Sequence, residues 1–151
     1  MTTPLRQALR KAHRLSLGDW KRVAIGFRAL RRAIRDVQDR PQGEFVATSA
    51  SPLEPDVARL PEARAIALGV SRAAAYGFLH PTCLAQSLAI QRCLAEAGIS
   101  GGRIRVGVAR RRGKFVAHAW VEFAGEVIGD DRASVERYEP FDDLHVRTVD
   151  S

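Results

Sequence analysis

The sequence predicts an α+β domain with N-terminal helices followed by a small antiparallel sheet. Three observations predict it. Apolar residues recur at steps of three and four from Leu17 to Val37. An Ala-rich stretch and a second apolar periodic segment then fill residues 61–97. From 103 to 130 the pattern changes to alternation, broken by two short turn sequences. Helices first and a meander second is the order of an α+β fold.

The elements follow in order. Ser16-Leu-Gly-Asp19 reads as a capping box, with an acid at the third helical position. Behind it Leu17, Trp20, Val23, Ala24, Phe27, Leu30, Ile34 and Val37 form the stripe of an amphipathic helix, with Lys21, Arg22, Arg28, Arg31, Arg32 and Arg35 on the other surface. This stripe is expected to pack on the rest of the protein rather than on a membrane surface. Residues 39–55, rich in turn formers, read as a linker or long loop. A second helix is expected from about Pro61 to Phe78, with proline in its first turn. His80-Pro81-Thr82 breaks the chain, and a third helix begins near Cys83 and stops at Gly98. RIRVGVAR and FVAHAWVEF read as strands joined through the polar turn at 110–114. Ala124-Gly125 turns the chain into a third strand, EVIGD, and a last short strand is expected at Leu144–Val149. The whole chain, 1–151, is read as one domain: a basic helical segment over 1–40, a linker over 41–60 and a core over 61–151.

Composition narrows the function. Hydrophobic residues make up 46% and charged residues 27%, as in a globular protein. No apolar run approaches the ~20 residues needed to span a bilayer. The first residues carry no apolar signal core, so the cytoplasm is the expected location. The net charge of +7 is uneven: residues 1–40 carry +8 and residues 41–151 carry −1. A basic helix of this kind attracts an anionic partner or is simply solvated. Nucleic acid has only that charge in its favour, because Trp20 and Phe27 both lie on the apolar stripe.

Cys83 falls at the start of a helix, where unpaired N–H groups and the helix dipole stabilise an anion. Cys93 is ten residues further along and follows the apolar pattern, so it reads as core and too distant for a disulfide. His118 interrupts a strand of small and apolar residues. Its cross-strand partner depends on the turn that follows. If Ala124-Gly125 is a two-residue turn, His118 faces Asp131; if Phe123 joins the turn, it faces Asp130. Either carboxylate would orient the imidazole for nucleophilic catalysis. Metal binding fails on spacing, since no C-x-x-C or H-x-x-x-H is present, and no cofactor motif appears. His13 and His145 lack an evident partner, and His80 is a weaker alternative base three residues before Cys83. Gln86 lies near enough to help at the same site, although a solvated polar role suits it better.

The segment CLAQSLAIQRCLAEAGI followed by RIRVGVARRRGKFVAHAWVEFAGEVIGD resembles the B2 maturation peptidases of lasso peptide biosynthesis, within the transglutaminase-like superfamily. The resemblance covers roughly residues 75–131, and LSLGDWKRVAIGFRALRRAI is similar to the basic start of that family. It implies a papain-like cysteine peptidase fold, no cofactor, and removal of a leader from a ribosomally made precursor peptide. Cys83 would match the nucleophile, His118 the base and Asp130 the orienting acid, because the His-to-Asp spacing of twelve favours Asp130. It also implies a separate leader-recognition protein and an ATP-dependent cyclase as partners, for which Arg28, Arg31 and Arg35 offer a binding face. Two rivals are a transglutaminase-like acyltransferase and a non-catalytic basic adaptor.

Overall fold

A computed structural model describes residues 16–39 and 53–141. Helix α1 spans Leu17–Asp39, and after a single 3-10 turn at Val57–Arg59 come α2, Leu60–Tyr76, and α3, Cys83–Glu96. The strands are β1, Arg103–Arg111, β2, Lys114–Phe123, and β3, Glu126–Ile128. A short helix α4, Arg132–Val135, leads to β4, Glu139–Pro140. The sheet order is β3-β2-β1-β4 and every pairing is antiparallel. The α+β reading therefore holds, with helices ahead of a small sheet. The strand expected at Leu144–Val149 lies outside the described residues, while α4 and β4 were not foreseen.

The capping box forms as the spacing predicts. Ser16 Oγ accepts the Asp19 N–H at 3.1 Å, and Asp19 Oδ2 accepts the Ser16 N–H at 3.1 Å. The Ser16 hydroxyl, which donates to Asp19 Oδ2 at 2.8 Å, and the Ser16 N–H, together with Arg72 and Arg22 nearby, hold the Asp19 carboxyl below its ordinary value.

Helix α1 packs against α2 and α3, but on a face rolled away from the predicted stripe. Its buried residues are Gly26, Ala29, Leu30 and Ala33. Leu17 is 90% exposed and Trp20 48%, whereas Phe27, Ile34 and Val37 are only partly covered. The cause is a close approach of two backbones. A Cβ on Gly26 would lie 2.9 Å from Val70 Cα, and one on Gly69 would lie 2.9 Å from Arg22 Cβ. The contact therefore centres on small residues that a search for large apolar side chains passes over.

Helix α2 ends at Tyr76 rather than Phe78, because Gly77 adopts an extended conformation. Helix α3 carries the centre of the core: Leu88, Ala89, Ile90 and Leu94 are buried against the sheet residues Ile104, Val121 and Phe123. Together these place the first turn of α3 beside the middle of β2.

Candidate active site

Thr82 starts α3 by accepting the Ala85 N–H on its Oγ1 at 3.2 Å, which makes Cys83 the first helical residue. The N–H groups of that turn lack helical acceptors, so they and the dipole favour negative charge there. Both thiols are free, and Cys83 is partly exposed whereas Cys93 is buried. Burial, with Glu96 nearby, pushes the Cys93 thiol up from 9.0 to about 11. Cys93 is thus a packing residue, as its place in the apolar pattern predicts, and Cys83 is the reachable thiol.

His118 reaches the same cleft from β2. Its Nε2 hydrogen-bonds Asp130 Oδ2 at 2.6 Å. The other oxygen, Asp130 Oδ1, accepts the Asp131 N–H at 2.7 Å. A carboxylate in this place accepts from an Nε2–H, the tautomer in which Nδ1 is the free acceptor of the ring. The ring also lies beside two aromatic rings, Trp120 at 6.2 Å and Tyr138 at 5.0 Å between centroids.

The pairing of His118 with Asp130 corrects the hairpin argument. Phe123 pairs with Glu126 and Val121 with Ile128, so Ala124-Gly125 is the two-residue turn, the register that pointed to Asp131. That register does not extend to His118, because β3 stops at Ile128 and Gly129 takes a φ of +76°. The turn at Gly129 carries Asp130 to the imidazole. Asp131 instead caps α4, its carboxylate accepting the Ser134 N–H at 3.1 Å.

Two further side chains fix this turn. Ser71 Oγ on α2 donates to Gly129 O at 2.7 Å. Gln86 Nε2 on α3 donates to Ser71 Oγ at 3.2 Å and to Gly129 O at 3.4 Å. Gln86 is therefore not a solvated side chain; its amide ties two helices to the chain segment that holds Asp130. Sequence reasoning missed Ser71 and Tyr138, for neither sits in a motif. Gly129 carried a signal, a glycine between a strand and an acid.

Cys83, Gln86, His118, Gly129 and Asp130 line one cleft of about 150 Å³. His80 is exposed in the loop before α3 and takes no part in lining it. Arg28, Arg31 and Arg35 are exposed on α1 and also lie outside it, and His13 and His145 fall outside the described residues. A partly exposed thiol at a helix start, in one cleft with an imidazole held by a carboxylate, is equipped for nucleophilic acyl chemistry.

Comparison with curated proteins and with solved structures gave no match. The profile of the transglutaminase-like superfamily matches residues 21–142, from the second turn of α1 to just beyond β4. That span covers most of the chain and every residue of the cleft, so the chain belongs to the transglutaminase-like superfamily.

Proposed function

We propose that this protein is a cysteine peptidase that removes the leader from a ribosomally made lasso precursor peptide, with Cys83, His118 and Asp130 as its triad. The 2.6 Å contact between His118 and Asp130, in the cleft that Cys83 also lines, carries this reading. The Cys83 thiolate attacks the carbonyl carbon of the leader–core bond and a C–S bond forms. Backbone N–H groups at the start of α3 stabilise the oxyanion. His118, protonated, gives its proton to the leaving amine as the C–N bond breaks. Water then attacks the thioester, His118 takes up its proton, and the thiolate leaves. Asp130 stays ionised throughout and stabilises the imidazolium.

The precursor would arrive on a separate leader-recognition protein in the cytoplasm, and the ATP-dependent cyclase would act on the product. Among the described residues, no helix is long and apolar enough to cross a membrane. The superfamily match suits an acyltransferase as well, in which an amine replaces water.

Mass spectrometry of a lasso precursor mixed with enzyme and recognition protein tests the proposal. Wild type and Cys93→Ala should release leader and core, and Cys83→Ala should release neither. Cleavage by Cys83→Ala would refute the triad. Amide products formed with added amine, in place of free acid, would favour the acyltransferase.

A further inference from the structure

Among the described residues, the sheet is open along part of one edge, next to the cleft. Both hairpins turn through two residues, so Arg111 with Lys114 and Phe123 with Glu126 are hydrogen-bonded pairs. Alternation from the first pair sends the backbone groups of Lys114, Val116, His118 and Trp120 toward β1. Alternation from the second sends those of Phe123 and Val121 toward β3. The two hairpins agree, and they leave the N–H and C=O of Phe115, Ala117 and Ala119 pointing away from β1. Among the described residues, β3 is the only strand on that side, and it pairs with β2 from Val121 to Phe123 alone.

Exposure fits an uncovered edge. Ala117 is exposed, and Phe115 is 78% exposed although it shares a face with buried Ala119 and Val121. The helix layer therefore covers Ala119 and stops short of Phe115. Natural sheets usually guard such an edge with charge, proline or a bulge. The stretch Phe115–Ala119 has no Lys, Arg, Asp, Glu or Pro, and its far end, at His118 and Ala119, forms a wall of the cleft.

We propose that the polypeptide substrate adds to this edge as a β-strand, hydrogen-bonded through its backbone to Ala117, and so lays its scissile bond across Cys83. The inference rests on the peptidase reading above. The occupant is an extended peptide because the open edge is continuous with the cleft, and a strand is what an unpaired ladder accepts. Phe115 supplies an apolar contact for alternate side chains of that strand, while the backbone bonds are indifferent to sequence.

Alkylation of Cys83 tests this with probes that need no natural substrate. Acetyl-alanyl chloromethyl ketones extend the peptide on the acyl side, and chloroacetyl-alanyl amides extend it on the leaving side. In one of the two series, the penta-alanyl probe should react about tenfold faster or more than the mono-alanyl probe, relative to iodoacetamide. Single N-methylalanine replacements should remove that gain at alternate positions only, the period of a paired strand. Ala117→Pro, which deletes an outward N–H and spares the pairing with β1, should bring the penta-to-mono ratio close to one. The proposal is overturned if neither series gains with length, or if N-methylation acts without alternation. It is also overturned if the gain fades as protein concentration rises, which would mean a second copy takes the edge. Failure of the peptidase reading looks different: Cys83 would then react with iodoacetamide no faster than in His118→Ala.

Discussion

Asp130 directs one carboxylate oxygen to His118 and the other to the Asp131 N–H, while Asp131 turns its own carboxylate to the start of α4. Two adjacent acids thus separate into an orienting group and a helix cap. Asp130→Asn should lower activity by up to about 10⁴-fold, because an amide no longer fixes the tautomer or stabilises the imidazolium. Asp131→Ala should leave catalysis near wild type and cost about 1 kcal/mol of stability, the value of a lost cap. Steady-state kinetics and thermal unfolding of the two variants check this, and the reverse ranking would contradict it. At this scale the sequence was legible for Cys83, Cys93 and His118, whose neighbours announced a helix start, a core position and an interrupted strand. Residues alone left Asp130 and Asp131 open, and the family resemblance favoured Asp130, the acid that His118 contacts. The hairpin register itself was readable, but the chain leaves it at Gly129 before it reaches His118.

The elements were legible wherever side-chain periodicity and turn residues agreed. Ser16 and Asp19 marked the start of α1, Thr82 preceded α3, and the two hairpins turned where glycine followed Arg112 and Ala124. The face of α1 was not legible, because its closest contact is made by Gly26 and Gly69, which add nothing to an apolar stripe. The junction of β3 and α4 depends on Gly129 twice over: its φ is +76°, and a Cβ there would lie 2.5 Å from Ile90 Cδ1. Gly129→Ala should therefore cost roughly 2 kcal/mol or more and lower the melting temperature by about 5 °C or more. It should also reduce activity beyond what instability explains at low temperature, since Asp130 is positioned by that turn. Melting curves and kinetics measured well below the transition separate the two effects.

At the scale of the molecule, the basic face of α1 and the cleft sit apart among the described residues. The cleft is built by α3, β2 and the turn after β3, whereas Lys21, Arg28, Arg31, Arg32 and Arg35 are exposed on α1. Ion pairs also join the elements: Arg92 with Asp36 links α3 to α1, and Arg64 with Glu126 links α2 to β3. We propose that this arginine face binds an acidic partner, the leader-recognition protein being the candidate. Arg28→Glu, Arg31→Glu and Arg35→Glu together should weaken partner binding and slow leader removal, with the wild-type affinity falling as salt rises. Screening supplies the reason, because the Debye length shrinks from ~10 Å at 0.1 M to ~3 Å at 1 M. Binding titrations at both salt concentrations check it, and equal affinities throughout would make the face a solvated surface only.

The central claim is that Cys83, His118 and Asp130 act as one unit, and thiol reactivity tests it without any substrate. The measurement is the rate at which iodoacetamide labels Cys83 at pH 7, followed by intact mass, in wild type, His118→Ala and Asp130→Asn. A single rapid adduct is expected in the wild type, because burial holds the Cys93 thiol up at about 11, so it stays protonated until the pH rises toward that value. The account predicts that His118→Ala slows the adduct by about tenfold or more, with Asp130→Asn in between. Equal rates in all three proteins would contradict it.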